Sequence, residues 1–284
     1  MIAPVIGIVL LIAGMAVVVV FVLRRRFAAH LDALESQTRR SAPATGPRAD
    51  LPPEVVALAD RLGAQADGAS GFAVLEQSGQ MWRTPGGKPM DFTARQTVRV
   101  AAPEFIWRAV MGRPVSVVVA DYLVAGTGGL EALLLGAFPL ARVVGGHGAN
   151  RGEALRYLAE LPWNPDAILA NRSLDWTVLD SKTVKVATGM DAERGEVTFD
   201  LDDQGLIVRA SAPSRLYAEK GRMTAHPWHG RFWDYKPIGG RLIPCQGEVA
   251  WDLDSGEFIY WRGRVLNWRS SMENTSGNFT DKKQ

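Results

Sequence analysis

From Met1 to Leu23 the chain carries no charged side chain, and Arg24, Arg25 and Arg26 follow at once. In hydrocarbon, backbone N–H and C=O groups must bond to one another, so a run like this has one structure open to it in a bilayer, a helix. At 1.5 Å per residue that helix is about 35 Å long, enough to cross a hydrocarbon core of roughly 30 Å. A cleaved signal peptide needs basic residues before a shorter apolar run and small residues after it. Here no basic side chain precedes the run, and three arginines stand where a cleavage site belongs. The sequence therefore predicts an uncleaved, single-pass anchor over residues 1–26. Basic residues beside a span stay on the cytoplasmic side. The expected location is a cell membrane with the C-terminal body in the cytoplasm; a body on the periplasmic or extracellular face is the alternative.

Residues 27–50 read as a juxtamembrane segment and linker. Arg24 to Glu35 continue in helical fashion, and Ser36 to Asp50 are rich in Ser, Ala, Pro, Thr and Gly. The first 50 residues hold six Lys/Arg and three Asp/Glu out of totals of 32 and 30. The remainder is close to neutral, which argues against phosphate-backbone binding and makes a nucleic-acid partner unexpected. Of all 284 residues, 47% are apolar and 22% charged, enough to bury a full core and unlike a disordered chain. Cys245 is the single cysteine, so neither an intramolecular disulfide nor a Cys-rich zinc site can form.

The period then changes. Residues 51–66 look helical, with Pro53 suited to a first turn and Val55, Leu58, Ala59 and Leu62 at helical spacing. From Phe72 the alternation is two. Phe92, Ala94, Val98 and Val100 share one face, and Thr93, Arg95, Thr97 and Arg99 the other, as in a half-buried antiparallel strand. Phe105, Trp107, Ala109 and Met111 alternate again, and Val115 to Val124 is β-branched. Leu130 to Ala141 is too short and too interrupted, by Pro139, for a second span. It reads as a buried strand pair or a strand facing an apolar cavity. Turn residues at 202–205, 239–240 and 254–256 sit between alternating runs and predict three hairpins. One helix interrupts the strands, from Arg151 to Leu161, with Asn150 and Glu153 at capping-box spacing and Leu155, Leu158 and Ala159 as its stripe. The β-rich domain is expected over 51–269, and 270–284 as a polar tail.

Chemistry is thinly marked. No phosphate-loop, dinucleotide, Gly-x-Ser-x-Gly or His-Glu-x-x-His motif occurs, so no cofactor, metal or catalytic residue is expected. His226 and His229, in His-Pro-Trp-His, lack evident further metal ligands and read as a loop around a buried Trp228. Gly145 to Gly148 read as a turn. Asp121, Glu153, Glu160 and Asp175 are carboxylates among apolar residues, with Glu153 assigned to the helix cap. All nine tryptophans lie between Trp82 and Trp268, and they serve either as core or as the wall of an apolar cavity.

Gly152-Glu-Ala-Leu-Arg-Tyr-Leu-Ala-Glu160, Trp163-Asn-Pro165, Pro227-Trp-His-Gly230, Asp234-Tyr235, Ile243-Pro244, Gly247-Glu-Val-Ala-Trp251 and Tyr260-Trp-Arg262 together resemble a family of uncharacterised bacterial proteins over residues 90–265. That family is remotely similar to the lipoprotein-localisation (LolA/LolB-like) carriers. The resemblance implies a curved antiparallel half-open β-barrel closed by a helical lid, with a cavity for acyl chains and no established activity.

The expectation is a mainly β (α+β) domain of that form behind one transmembrane helix in the bacterial inner membrane. It would bind a hydrophobic or lipid-like ligand under the lid 151–161. The candidate lining is Trp107, Leu155, Tyr157, Leu158, Trp163, Trp228 and Trp251. A membrane scaffold with a solid core is the second reading, and an enzyme using the carboxylates or the 226/229 histidines the third.

Overall fold

The computed structural model describes residues 2–40, 50–65, 71–112, 114–219 and 221–272. Much of the expected linker (41–49), Ala66 at the end of the expected helix, and the tail beyond Met272 lie outside the described residues.

Thirteen strands form a single antiparallel sheet in the order β6-β5-β4-β3-β2-β1-β13-β12-β11-β10-β9-β8-β7. They are β1 (Gly71–Met81), β2 (Met90–Arg99), β3 (Phe105–Met111), β4 (Val117–Val124), β5 (Thr127–Leu134), β6 (Phe138–Val144), β7 (Asp175–Asp180), β8 (Thr183–Thr188), β9 (Gly195–Leu201), β10 (Ile207–Glu219), β11 (Arg222–Ile238), β12 (Arg241–Leu253) and β13 (Gly256–Met272). Each pairs with its sequence neighbour except at β1–β13, which joins the two ends of the domain, and at β6 and β7, which are the open edges. The three hairpins expected from the turn residues are present as β9–β10, β11–β12 and β12–β13. The sheet curls into the expected half-open barrel.

The chain between the two edges fills the concave side. It contains α3 (His147–Ala159), a 3-10 turn at Leu161–Trp163 and α4 (Asp166–Ala170), and all but a few residues from Glu153 to Asn171 are buried. The helix is thus a plug more than a surface lid. α3 is seated where β5 has no side chains: a Cβ on Gly128 would lie 2.7 Å from the Ala149 carbonyl oxygen. Its start differs from expectation. Gly146 precedes the first turn without a side-chain cap. Asn150 instead accepts the Gly128 N–H at 2.9 Å and donates to Glu193, and Glu153 is buried rather than capping. α2 (Pro53–Arg61) packs beside α4, and a buried ion pair, Arg241 Nη2 to Asp166 Oδ2 at 2.7 Å, ties α4 to the start of β12.

α1 is a single helix from Ile2 to Arg40, and it is long and apolar enough to cross a membrane. It also corrects the expected linker, because Ser36 to Arg40 are helical. Its second half lies on the convex face of β2–β4, where Phe27 and Leu31 pack with Ile106, Ala120, Tyr122 and Val124. That contact explains why Thr97 and Arg99, on the face of β2 expected to meet solvent, are each 1% exposed. The end of β5 and all of β6 also depart from a buried strand pair: every residue of β6 is exposed.

Candidate functional site

Between the plug and the sheet lies a cavity of about 60 Å³, room for a few waters and too small as it stands for a whole acyl chain. One wall is aromatic. Trp107 on β3, Trp163 in the 3-10 turn, Trp228 on β11, Phe232 and Trp261 line it, with Met81. Three indole N–H groups are satisfied within the protein: Trp107 donates to Gln77 at 2.9 Å, Trp163 to the Pro244 carbonyl at 2.8 Å and Trp228 to Tyr260 at 3.1 Å. With the donors bonded in this way, the apolar ring surfaces are what remains for the cavity.

The other wall is charged. Asp121 on β4 pairs with Trp107 across the sheet and accepts from Arg156 of α3 at 2.5 Å. Arg156 also donates to Glu160 at 2.9 Å and lies over the rings of Phe105 and Trp107. Arg215 on β10 lies 4.6 Å from the Trp228 ring centre. Its ion pair among the described residues is a long one, 3.8 Å to Glu153. Burial, reinforced by the neighbouring Asp121 carboxylate, pushes the Glu153 pKa up to about 8. Burial also raises that of Asp121 against the pull of Arg156. Arg215 thus faces a carboxyl group whose ionisation burial and the Asp121 carboxylate disfavour. One oxygen of Asp121 and one of Glu153 are buried without a hydrogen-bond partner among the described residues.

Of the seven expected lining residues, the structure brings Trp107, Trp163 and Trp228 together at the cavity. Leu155, Tyr157 and Leu158 turn into the core, at 1% exposure or less. The Tyr157 hydroxyl accepts from Asn171 at 2.9 Å. Trp251 packs against Tyr217 and Tyr260, outside the cavity lining. Asp121 and Glu160 line the cavity with Arg156, whereas Asp175 pairs with Arg194 at the surface.

The histidines are not in a loop: both lie in β11, three residues apart and so on opposite faces. His226 meets Thr224. His229 is buried with its ring nitrogens at 3.3 Å from Asp252 and 3.1 Å from Glu257. These three bring donor atoms within 4.8 Å of one another, but Glu257 is also forked by Arg231 at 3.0 and 2.8 Å.

Beyond the cavity the concave face stays open towards one end. Val119 and Val117 follow Asp121 along β4 with the same parity, and Ala132 and Leu134 face the same side from β5. All four are only half-buried, and Phe138, paired with Leu134, is 43% exposed.

Residues 44–263 match the model of a family of unknown function (DUF6544). No curated protein matches the sequence. Among solved structures the chain is similar to a domain classed as an outer membrane lipoprotein-sorting protein from Vibrio parahaemolyticus, at 7% identity and a TM-score of 0.42, covering 80% of this chain and 93% of that one. A DUF1329 family protein from Desulfovibrio piger aligns at 14% identity and 0.43, covering 76% and 90%. A LolA superfamily protein from Nitrosomonas europaea aligns at 12% and 0.41, covering 82% and 95%. The resemblance to an uncharacterised family drawn from the motifs is borne out by the family match over residues 44–263.

Proposed function

As this chain belongs to DUF6544, a family of unknown function, we propose a role for it from the geometry: a membrane-anchored module that binds a lipid-like amphiphile with a small anionic head, such as a long-chain carboxylate. The observation that carries this reading is Arg215. Its side chain is 12% exposed, and its guanidinium rests on the Trp228 indole of the cavity wall. A guanidinium offers five N–H donors, and a buried cation is costly unless paired and hydrogen-bonded. Here the partner is a carboxyl at 3.8 Å whose ionisation burial disfavours. A carboxylate head would complete it. The half-buried Val117, Val119, Ala132 and Leu134 supply an apolar track for the tail.

In this reading α1 is the uncleaved anchor. Its continuation through Arg24–Arg26 onto the body, with Phe27 and Leu31 packed on the sheet, supports retention over removal. The arginines favour a cytoplasmic body.

The test is extraction and mass spectrometry of the full chain purified in detergent, beside its Arg215→Gln variant. A stoichiometric anionic amphiphile in the wild type, lost in the variant, supports the reading. Lipid no richer than a detergent-matched control overturns it and favours the scaffold reading, which the small cavity and the fully buried Leu155 and Leu158 would then explain.

A further inference from the structure

Where the apolar part of α1 ends, the body begins. Ile6 to Leu23 span about 27 Å of helix, close to the thickness of a bilayer's hydrocarbon core. The next residue, Arg24, lies against the β5–β6 turn: a Cβ on Gly136 would sit 3.4 Å from the Arg24 Cγ. That turn is therefore held at the depth where the helix leaves the membrane. It is also apolar and exposed. Leu135 at its tip is 36% exposed, Phe138 43% and Leu140 59%. Beside it the β3–β4 loop adds Val115 at 55%, and the two loops are joined by the Leu135 N–H to the Ser116 carbonyl at 2.8 Å. Leu135 has φ +55°, a left-handed conformation that Gly or Asn adopts more readily, and a leucine stands there all the same. Arg24 touches this turn, and Arg25 and Arg26 follow it on the helix, all three exposed.

Exposed apolar tips beside an arginine cluster are what an interfacial lipid contact requires: side chains that enter the acyl boundary and cations that meet anionic headgroups. Resting on the anchor reading above, we infer that the β5–β6 hairpin, with Val115, Leu135, Phe138 and Leu140, is inserted in the lipid interface of the same membrane that holds α1. The half-open end of the barrel then faces lipid rather than water. Phe138 and Leu134 lead along the concave face towards Asp121, so an amphiphile enters the barrel directly from the leaflet without passing through solvent.

The test uses the full chain with Cys245→Ala, carrying Phe138→Cys or Leu140→Cys labelled with the environment-sensitive fluorophore NBD. It is reconstituted in vesicles of phosphatidylethanolamine and phosphatidylglycerol. Leu179→Cys, exposed on the opposite edge strand β7, is the control. The expected result is blue-shifted emission at 138 and 140 and loss of most of it when the lipids are brominated near the headgroup, with the 179 probe unmoved. Water-like, unquenched emission at 138 and 140 in protein that floats with the vesicles overturns the hairpin insertion and leaves the anchor standing. Protein that fails to float overturns both. Disulfide-linked dimers of the unlabelled Leu140→Cys variant, with the probes of the labelled protein unquenched, would assign the patch to a second copy and overturn the lipid contact.

Discussion

Arg99 on β2 donates from Nη1 to the carbonyl of Thr38 across 3.0 Å, and both residues are buried, at 1% and 0% exposure. Thr38 belongs to the last turn of α1, where carbonyls lack intrahelical partners and the helix dipole is negative. The guanidinium thus satisfies a group that a helix end leaves open. Nearby, Thr97 donates to Glu35 at 2.9 Å and Arg108 to Asp32 at 2.7 Å. The second half of α1 is therefore part of the folded body.

It follows that residues 24–40 stabilise the domain while residues 1–23 do not. A chain starting at Arg24 should keep the thermal transition of the body. One starting after Arg40 should melt lower or aggregate, because Ile106, Tyr122 and Val124 lose their cover. Leu31→Ala, at a site 1% exposed, should cost about 2–4 kcal/mol in urea unfolding. A chain lacking residues 1–40 that melts like the longer one would show the docking to be incidental.

The pair Arg241–Asp166 makes a second prediction. Its two hydrogen bonds, 3.1 and 2.7 Å, are buried, and Asp166 also accepts the Gln65 N–H at 2.8 Å. Removing one partner strands the other charge, so Asp166→Ala should cost about 3–5 kcal/mol. Adding Arg241→Met should restore part of that. If the double variant is no more stable than the single one, the loss lies in the Asp166 backbone contact and not in the stranded cation.

The strands were legible because each carries its own evidence. Val197, Phe199 and Leu201 alternate, a turn follows, and the next strand answers, all within neighbouring residues. What could not be read were contacts made across the sequence. Thr97 and Arg99 alternate with apolar residues and look solvent-facing, and only a helix arriving from residues 27–38 buries them. The aromatic wall was partly legible, since tryptophans are few and conspicuous. The charged wall was not: Asp121, Arg156 and Arg215 are ordinary surface types, and nothing local marks them as meeting. Glu153 was misassigned because capping-box spacing is local, while its burial against Arg215 is tertiary. The segment expected as a loop around Trp228 is strand, and Pro227 sits in β11 opposite the register shift between Ala212 and Arg215, where no ladder hydrogen bond is required of it.

The plug makes a third prediction. Leu158 is fully buried in the main core cluster, so Leu158→Ala should cost the full amount for a core leucine, about 2–5 kcal/mol. The check is the urea midpoint of the full chain followed by tryptophan emission. A cost near 1 kcal/mol would mean the helix yields easily and covers an open space, as a lid would.

Glu153 supplies the last. Its pKa is about 8 in the folded protein, against an ordinary 4.5. Between those values the unfolded chain has released the proton that the folded chain still holds. The unfolded state then binds fewer protons, so stability falls as pH rises from about 4.5 to about 8 and is level beyond. The slope is at most about 1.4 kcal/mol per pH unit, and shallower because Asp121 titrates with it. Glu153→Gln keeps the shape and removes the titration, so it should flatten stability over that window and raise it at the alkaline end. The same step bears on binding. Above about pH 8 an ionised Glu153 becomes the counter-ion of Arg215 and competes with an anionic head. The affinity of the full chain for a fluorescent long-chain carboxylate should therefore drop across that pH, and in Glu153→Gln it should not. A wild-type stability that rises between about pH 5 and about pH 8 would place Glu153 among the ionised groups. Arg215 would then already have its anion, and the case for a ligand carboxylate there would be gone.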